Sequence, residues 1–191
     1  MLLFEADLPR EQRRDTTGDG RFDQVVTLAE AGQPAKEEFD TDGDEKVDLV
    51  RAYVAGLLAL EEIDTDGDGR FEQVSRYQDG TLVRTEIDRN GDGQAEDITE
   101  YDRGKPLRRS EDRAGRGSPD RIIHYEPATD GEPTPRRIEE DSSGDGRFDT
   151  VLFYADGIHR RSERDSDGDG RPETWIFNDA SGEILRREED R

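Results

Sequence analysis

The sequence predicts an all-β protein built from tandem β-hairpins, and three observations support this class. An acidic nine-residue loop recurs seven times along the chain. A short segment rich in β-branched and aromatic residues, typical of strands, follows most of these loops. A glycine-containing pair such as Asp-Gly then predicts a tight turn, because glycine adopts positive φ without strain. We expect an elongated, twisted β-meander or solenoid-like array; a closed barrel or propeller is the alternative.

The repeat has a regular period of about 24 residues, the mark of a repeat architecture. The intervals between loop starts are 25, 24, 24, 24, 29 and 24 residues. The longer interval contains residues 127–135, which we expect to form a lengthened turn between two strands. The predicted organisation is a half repeat 1–14, the repeats 15–39, 40–63, 64–87, 88–111, 112–140, 141–164 and 165–189, and the start of an eighth loop at 190–191. We expect a single repeat array over 1–191 and a segment of a longer protein; a natural short chain is the alternative.

The segment after each loop requires a choice between helix and strand. Phe71, Val74 and Tyr77 lie three residues apart, which alone fits a helix face. The segment spans only about seven residues before its turn, and isolated helices of this length are marginal. We therefore predict strands. Hydrophobic residues make up only 29% of the chain, so we expect thin layers or stacked neighbours, not one deep core.

The composition limits the partners. The net charge is −22, and a nucleic acid backbone requires a basic protein face, so we expect no nucleic acid partner. No apolar run approaches the roughly 20 residues that span a bilayer, so we expect no membrane insertion. The chain has no cysteine, which excludes disulfide and thiolate chemistry. The N-terminal segment lacks the basic region of a signal peptide.

The loop Asp64–Glu72 is typical of a site for an oxygen-binding cation. Acids stand at loop positions one, three, five and nine, with glycine at four and six. Calcium takes six to eight oxygens, which three side-chain acids, a backbone carbonyl at position seven and a bidentate acid at nine nearly supply. Magnesium requires a tighter octahedron and keeps its waters, and zinc prefers thiolate and imidazole ligands. The sequence therefore favours calcium.

Six loops keep enough of this pattern to predict six calcium sites, Asp64–Glu72 and Asp165–Glu173 being complete. In the others, Glu45 replaces the glycine at position six, Asn90 replaces the acid at three, and Thr17 and Ser143 place hydroxyls at three. The predicted ligands, with position seven acting through its carbonyl, are Asp15, Thr17, Asp19, Arg21, Asp23, Asp40, Asp42, Asp44, Lys46, Asp48, Asp64, Asp66, Asp68, Arg70, Glu72, Asp88, Asn90, Asp92, Gln94, Glu96, Asp141, Ser143, Asp145, Arg147, Asp149, Asp165, Asp167, Asp169, Arg171 and Glu173.

The loop 112–120 is predicted to lack calcium. Ala114 stands at its position three and Arg116 at position five. We expect the guanidinium of Arg116 to take the place of the ion by pairing with Asp112 and Asp120.

One alternative explains the loops without metal. Aspartate and glycine are common turn residues, and the acids would then form a solvated rim. In its most specific form, the arginine at position seven bridges the carboxylates of its own loop. We favour metal binding because six loops occur in phase and each has an acid again at position nine.

The loop motif, seen in Asp40–Asp48 with the apolar residues that follow, resembles the calcium loops of FG-GAP and VCBS repeats. It is also similar to thrombospondin type-3 loops, whose cysteines are missing here, and to the first part of an EF-hand loop. The hairpins weakly resemble MORN repeats. The resemblance covers only the loops, and FG-GAP units are longer than these repeats. It implies an extracellular or cell-surface calcium-binding module.

These observations lead to a functional hypothesis. We expect a calcium-binding structural or adhesive repeat module of a bacterial surface or secreted protein, located outside the cell, at its surface or in the periplasm. No catalytic residues and no enzymatic activity are expected. The alternative is a metal-independent acidic scaffold from a salt-adapted organism. The sequence does not identify a glycan or protein ligand, although the Arg-Arg pairs, expected to ladder against acids on neighbouring strands, offer an alternative site for an acidic glycan or peptide. These pairs are at 108–109, 136–137, 160–161 and 186–187.

Overall fold

The computed structural model describes residues 1–5, 8–30, 32–127 and 132–190, and within them it contains strands and no helix. The sixteen strands are β1 (Leu2–Glu5), β2 (Leu8–Arg14), β3 (Gln24–Leu28), β4 (Pro34–Phe39), β5 (Leu49–Val54), β6 (Leu57–Ile63), β7 (Gln73–Gln78), β8 (Thr81–Ile87), β9 (Asp97–Asp102), β10 (Lys105–Glu111), β11 (Arg121–Tyr125), β12 (Pro135–Glu140), β13 (Thr150–Ala155), β14 (Ile158–Arg164), β15 (Thr174–Asn178) and β16 (Ile184–Glu189). The expected lengthened turn at 127–135 and the last residue of the eighth loop lie partly outside the described residues.

The chain divides into two compact units, Met1–Gly93 and Gln94–Arg191. The first unit contains β1–β8 and the second contains β9–β16. Within each unit every strand pairs antiparallel with its neighbours in chain order, and the described pairings close neither unit into a barrel. The predicted all-β meander of hairpins is therefore confirmed. The prediction of one array over the whole chain stays a prediction.

Two-residue turns connect the strands of several hairpins. In the turn between β7 and β8, Asp79 has φ +50° and Gly80 has φ +73°. Ala55 and Gly56 repeat this pattern, with φ +51° and +78°. Positive φ at both central residues defines a type I′ turn, whose twist matches that of the flanking strands. The glycine-containing pairs thus form the tight turns that the sequence predicts.

The sheet carries its apolar side chains in thin rows. In the register of the first unit, Val50 faces Glu62, and Glu62 faces Val74, so that apolar and charged side chains alternate along one row. The buried apolar residues among those described are Val26, Val50, Ile123 and Ile138, and no large side chain is completely enclosed. This agrees with the low apolar content, because a short polar repeat cannot bury a deep core.

The arginine pairs mostly contact acids on their own strand instead of the expected neighbouring strand. Arg161 lies 2.8 Å from Glu163, and its guanidinium stacks 4.3 Å from the centroid of Phe153 on the adjacent strand. Arg108 and Arg109 are exceptions, because they pair with Glu100 and Asp97 across the β9–β10 hairpin. Side chains two residues apart share a sheet face, which brings Arg161 and Glu163 together.

Candidate metal-binding loops

In each unit the acidic loops connect one hairpin to the next, so they lie together at one edge of the sheet. A backbone hydrogen bond joins each loop to the loop before it, from the N–H at position one to the carbonyl at position nine. Asp64 donates to Asp48 over 2.8 Å, and Asp165 donates to Asp149 over 2.8 Å. The hydrogen bonding between strands therefore continues into the loops. It holds positions one and nine in place at the two ends of each loop.

Asp64 organises the loop 64–72 from position one. Its Oδ1 accepts a hydrogen bond from Gly67 N–H and its Oδ2 accepts one from Gly69 N–H, both over 2.7 Å. The glycines have φ +79° and +92°, which side chains with a Cβ rarely adopt. Asp64 is only 6% exposed. The two glycines thus turn the backbone around a buried carboxylate.

The remaining acids of this loop each bind backbone through one oxygen. Asp66 Oδ1 accepts a hydrogen bond from the N–H of Asp68 over 3.1 Å. Asp68 Oδ1 accepts one from the N–H of Arg70 over 2.8 Å. Glu72 Oε2 accepts from the N–H of Thr65 over 2.7 Å and from its hydroxyl over 2.9 Å. None of the described hydrogen bonds engages the second oxygen of these three acids.

The four acids of the loop converge. Asp64, Asp66, Asp68 and Glu72 each offer a carboxylate oxygen within 4.8 Å of the others. The loop 165–173 also brings carboxylate oxygens of its four acids within 4.8 Å of one another, with the same two 2.7 Å hydrogen bonds to Asp165. Oxygen atoms at these separations can hold a metal ion, and the all-oxygen donor set suits a hard cation.

The loop 40–48 brings together three acids, Asp40, Asp42 and Asp48. The carboxylate of Asp44 instead lies 3.2 Å from the ammonium of Lys46, and this contact raises the pKa of that lysine. At position six, Glu45 has φ +74°, a strained conformation for a residue that has a side chain.

The loops 15–23 and 141–149 keep the same backbone framework with hydroxyls at position three. Thr17 Oγ1 donates to Asp15 over 3.4 Å, and Ser143 Oγ donates to Asp141 over 3.3 Å. In the part of the chain that the structure describes, the acids of these two loops do not bring three carboxylate oxygens within 4.8 Å of one another. Calcium binding at these two loops stays a prediction.

The loop 88–96 contains the boundary between the two units, so residues 88–93 belong to the first unit and residues 94–96 to the second. In the first unit, Asp88 accepts hydrogen bonds from Gly91 N–H and Gly93 N–H over 2.8 and 2.7 Å. Asn90 Oδ1 accepts from the N–H of Asp92 over 2.8 Å, as an aspartate would. In the second unit, the carbonyl of Glu96 accepts from the N–H that begins the next loop.

The loop 112–120 corrects the prediction for Arg116. The guanidinium of Arg116 contacts the carbonyl of Gly144 and lies 3.7 Å from Asp141, both in the next loop. Arg113 occupies the expected role in part, because its Nε lies 2.7 Å from Asp120. The side chain at position two therefore lies beside the acid at position nine of the same loop, whereas the side chain at position five extends to the next loop.

Hydrogen bonding keeps several loop carboxylates ionised. The hydroxyl and N–H of Thr41 lower the pKa of Asp48 below its ordinary value. Burial raises the pKa of Asp112, but hydrogen bonds from the N–H groups of Arg116 and Gly117 outweigh it, and the pKa is lowered. Hydrogen bonds from the N–H groups of Gly20 and Gly18 lower the pKa of Asp15. Such carboxylates remain charged at neutral pH and attract cations.

Sequence reasoning missed what the side chains at position seven do. The sequence requires only a backbone carbonyl there, and the metal-free alternative places the side chain on the carboxylates of its own loop. In the structure, the side chains of Lys46, Arg70 and Arg147 instead donate hydrogen bonds to backbone carbonyls of the following loop. The recurrence of lysine or arginine at position seven was the sequence feature that could have indicated these contacts between loops.

Comparisons with known proteins give little guidance. No protein-family model and no curated protein matches the chain. A solved structure described as "Crystal structure of GtfA/B complex" is 14% identical and has a TM-score of 0.27. The match covers 74% of this chain and 23% of that chain, so the chain spans about a quarter of that protein's length. This likeness is too low to support a fold or a function.

Across the residues that the structure describes, there is no helix with the length and apolar character required to cross a bilayer.

Proposed function

We propose that the chain is a structural repeat module stabilised by calcium ions bound between successive hairpins. One observation supports this most directly. In the loops 64–72 and 165–173, four acids bring oxygen atoms within 4.8 Å of one another. In the first of these loops, three of the four acids also have one oxygen that no described hydrogen bond engages. The backbone thus orients the acids and leaves oxygen atoms for an ion.

Calcium fits this donor set better than other common cations. The ligands are oxygen atoms on a flexible loop, and calcium accepts variable geometry at 2.3–2.6 Å. Mutual repulsion of the four carboxylates opposes the closed loop, and a divalent cation removes that repulsion. Because only the folded loop presents all four acids together, ion binding stabilises the folded state.

The position of the loops favours an architectural ion over a catalytic one. Each loop joins the second strand of one hairpin to the first strand of the next, so a bound ion fixes that junction. We propose a structural or adhesive role at a bacterial surface or in a secreted protein, where calcium reaches the millimolar levels that weak extracellular sites require.

Thermal unfolding tests the proposal. We expect the full chain to melt at a higher temperature in millimolar calcium chloride than in EGTA at matched ionic strength. At a free calcium concentration 100 times the Kd, one site stabilises by about 2.7 kcal/mol. Magnesium chloride should give a smaller shift. Equal melting temperatures in calcium and EGTA would refute the proposal, and metal analysis of protein purified without chelator gives an independent measurement.

A second candidate function has its own supporting observation. In each of the seven loops between residues 15 and 173, the aspartate at position one is already stabilised by backbone N–H donors, as Asp64 and Asp165 illustrate. The loops could therefore hold their shape in a metal-independent acidic scaffold from a salt-adapted organism. Potassium chloride alone would then raise the melting temperature as much as calcium chloride at the same ionic strength.

A further inference from the structure

Side chains at loop position seven connect neighbouring loops within each unit. Lys46 Nζ donates to the carbonyl of Gly67 over 2.7 Å, and Arg147 Nη1 donates to the carbonyl of Gly168 over 3.1 Å. Arg70 makes the same contact with the loop that follows it, over 2.8 Å. In all three cases the donor stands at position seven and the acceptor is the carbonyl at position four of the next loop.

Two variations show that this connection does not depend on a complete acidic shell. In the loop 112–120, where position seven is Ser118, Arg116 at position five donates to the carbonyl of Gly144 instead. In the first loop, Arg21 lies 2.7 Å from the carboxylate of Glu45 in the second. A cationic side chain therefore bridges to the next loop even from a loop that lacks acids at positions three and five.

The acceptor carbonyl belongs to a peptide group that also holds the acid at position three. The carbonyl of Gly168 accepts from Arg147, and the N–H of the same peptide group, carried by Asp169, donates to Asp167 Oδ1 over 3.1 Å. The peptide group is planar, so a donor that fixes its carbonyl also fixes the direction of its N–H. Hydrogen bonds in such a chain also polarise one another.

The same arrangement occurs in the first unit. The carbonyl of Gly67 accepts from Lys46, while the N–H of Asp68 in the same peptide group donates to Asp66 Oδ1 over 3.1 Å. In both loops the acid held in this way belongs to the four that converge.

We propose that the cation at position seven is a positioning residue for the ion site of the following loop, and that it orients the acid at position three through this shared peptide group. This inference rests on the proposed calcium binding. It assigns to Arg147 an effect on the loop 165–173, to which it contributes no ligand.

The sign of the effect separates positioning from simple charge. A positive side chain near a cation site opposes binding by Coulomb repulsion, so removing its charge alone strengthens binding. Removing a positioning bridge weakens binding, because the acid at position three must then be ordered by the ion itself.

The chain contains a reporter for this loop. Trp175 is its single tryptophan and stands two residues after Glu173, the last acid of the loop 165–173. Terbium emission excited through Trp175 therefore reports occupancy of this loop, and competition with calcium gives the calcium affinity. In the full chain, we expect Arg147→Met to weaken terbium and calcium binding at this loop by at least about fivefold, the lower end of typical coupling. Arg147→Lys should restore binding, since Lys46 makes the same bridge.

Arg164→Met is the matched control. Arg164 is exposed and directly precedes Asp165, and among the described contacts there is no side-chain bridge from it to a neighbouring loop. This substitution takes the same charge from beside the loop and should leave binding unchanged or stronger. Equal melting temperatures of wild type and Arg147→Met in chelator would show that the fold is retained.

The outcomes distinguish this inference from the proposed function. Unchanged or tighter binding in Arg147→Met, with binding intact in the wild type, would overturn the positioning role alone. Absence of Trp175-sensitised terbium emission in the wild type would overturn the ion site and the positioning role together. Weaker binding in Arg147→Met that Arg147→Lys does not restore would also contradict the positioning role.

Discussion

Asp66→Asn separates the contribution of the ion from that of the fold. The oxygen Asp66 Oδ1 accepts the N–H of Asp68, and asparagine retains an oxygen for this bond. Without metal, we therefore expect the free energy of unfolding to change by less than about 0.5 kcal/mol. With metal, a charged ligand is lost from a cluster whose oxygens lie within 4.8 Å of one another.

The cost in calcium follows from Coulomb's law. A unit charge about 4.8 Å from a divalent ion, roughly twice the calcium–oxygen distance, contributes about 1.7 kcal/mol even in the dielectric of water, or roughly 20-fold in Kd. For a chain of this size unfolding as one unit, that loss lowers the melting temperature in saturating calcium by about 3–7 °C. Differential scanning calorimetry in calcium and in EGTA measures both values.

Asp79→Asn is the control for this experiment. Asp79 lies in a hairpin turn at φ +50°, a conformation that asparagine also tolerates. It removes the same charge from a strongly acidic chain without touching a loop. A similar loss for Asp66→Asn in calcium and in EGTA, or an equal loss in calcium for both variants, would refute the reasoning.

Three further predictions concern the loops. Asp64→Ala should destabilise the protein by about 2–4 kcal/mol in EGTA, because it leaves two glycine N–H groups beside a buried site without an acceptor, and by more in calcium, because a proposed ligand is lost as well; urea unfolding in both buffers measures this, and a loss confined to calcium would contradict it. Glu45→Gly should stabilise the protein in EGTA by about 0.5–1 kcal/mol, since relief of the strained φ of +74° exceeds the added chain entropy and the exposed ion pair contributes little; a lower urea midpoint would count against it. The pKa of Asp112 is lowered in the folded state, so this carboxylate contributes stability that is present above its ordinary pKa of 3.8 and lost as the pH falls through the folded pKa. Asp112→Asn should flatten the curve of unfolding free energy against pH over this range, measured in chelator. Identical slopes for the two proteins would show that Asp112 does not contribute.

The resemblance of the loops to known calcium motifs and the arrangement of their acids remain separate arguments. The motif rests on the spacing of residues such as Asp64, Asp66 and Asp68 in the sequence. The convergence of their oxygens within 4.8 Å rests on the backbone turn that two glycines permit. Thermal unfolding in calcium tests whether these two features together create an ion site.

The sequence alone determined the local features. The period located the hairpins, the type I′ pairs such as Asp79-Gly80 fixed the turns, and the spacing of acids located the loops. These features are predictable because they depend on residues that lie within one repeat, where backbone conformation follows from glycine, β-branched residues and short side-chain hydrogen bonds.

Only the tertiary structure decided the contacts between repeats. Arg147 and Gly168 are 21 residues apart, and Arg116 and Gly144 are 28 residues apart, yet strand pairing brings each pair together. The sequence predicts that Arg116 pairs with acids of its own loop, because only residues close along the chain can be identified as neighbours without a structure. The distance between neighbouring strands is shorter than the reach of an arginine side chain, so the partner depends on how the repeats stack and not on the loop motif.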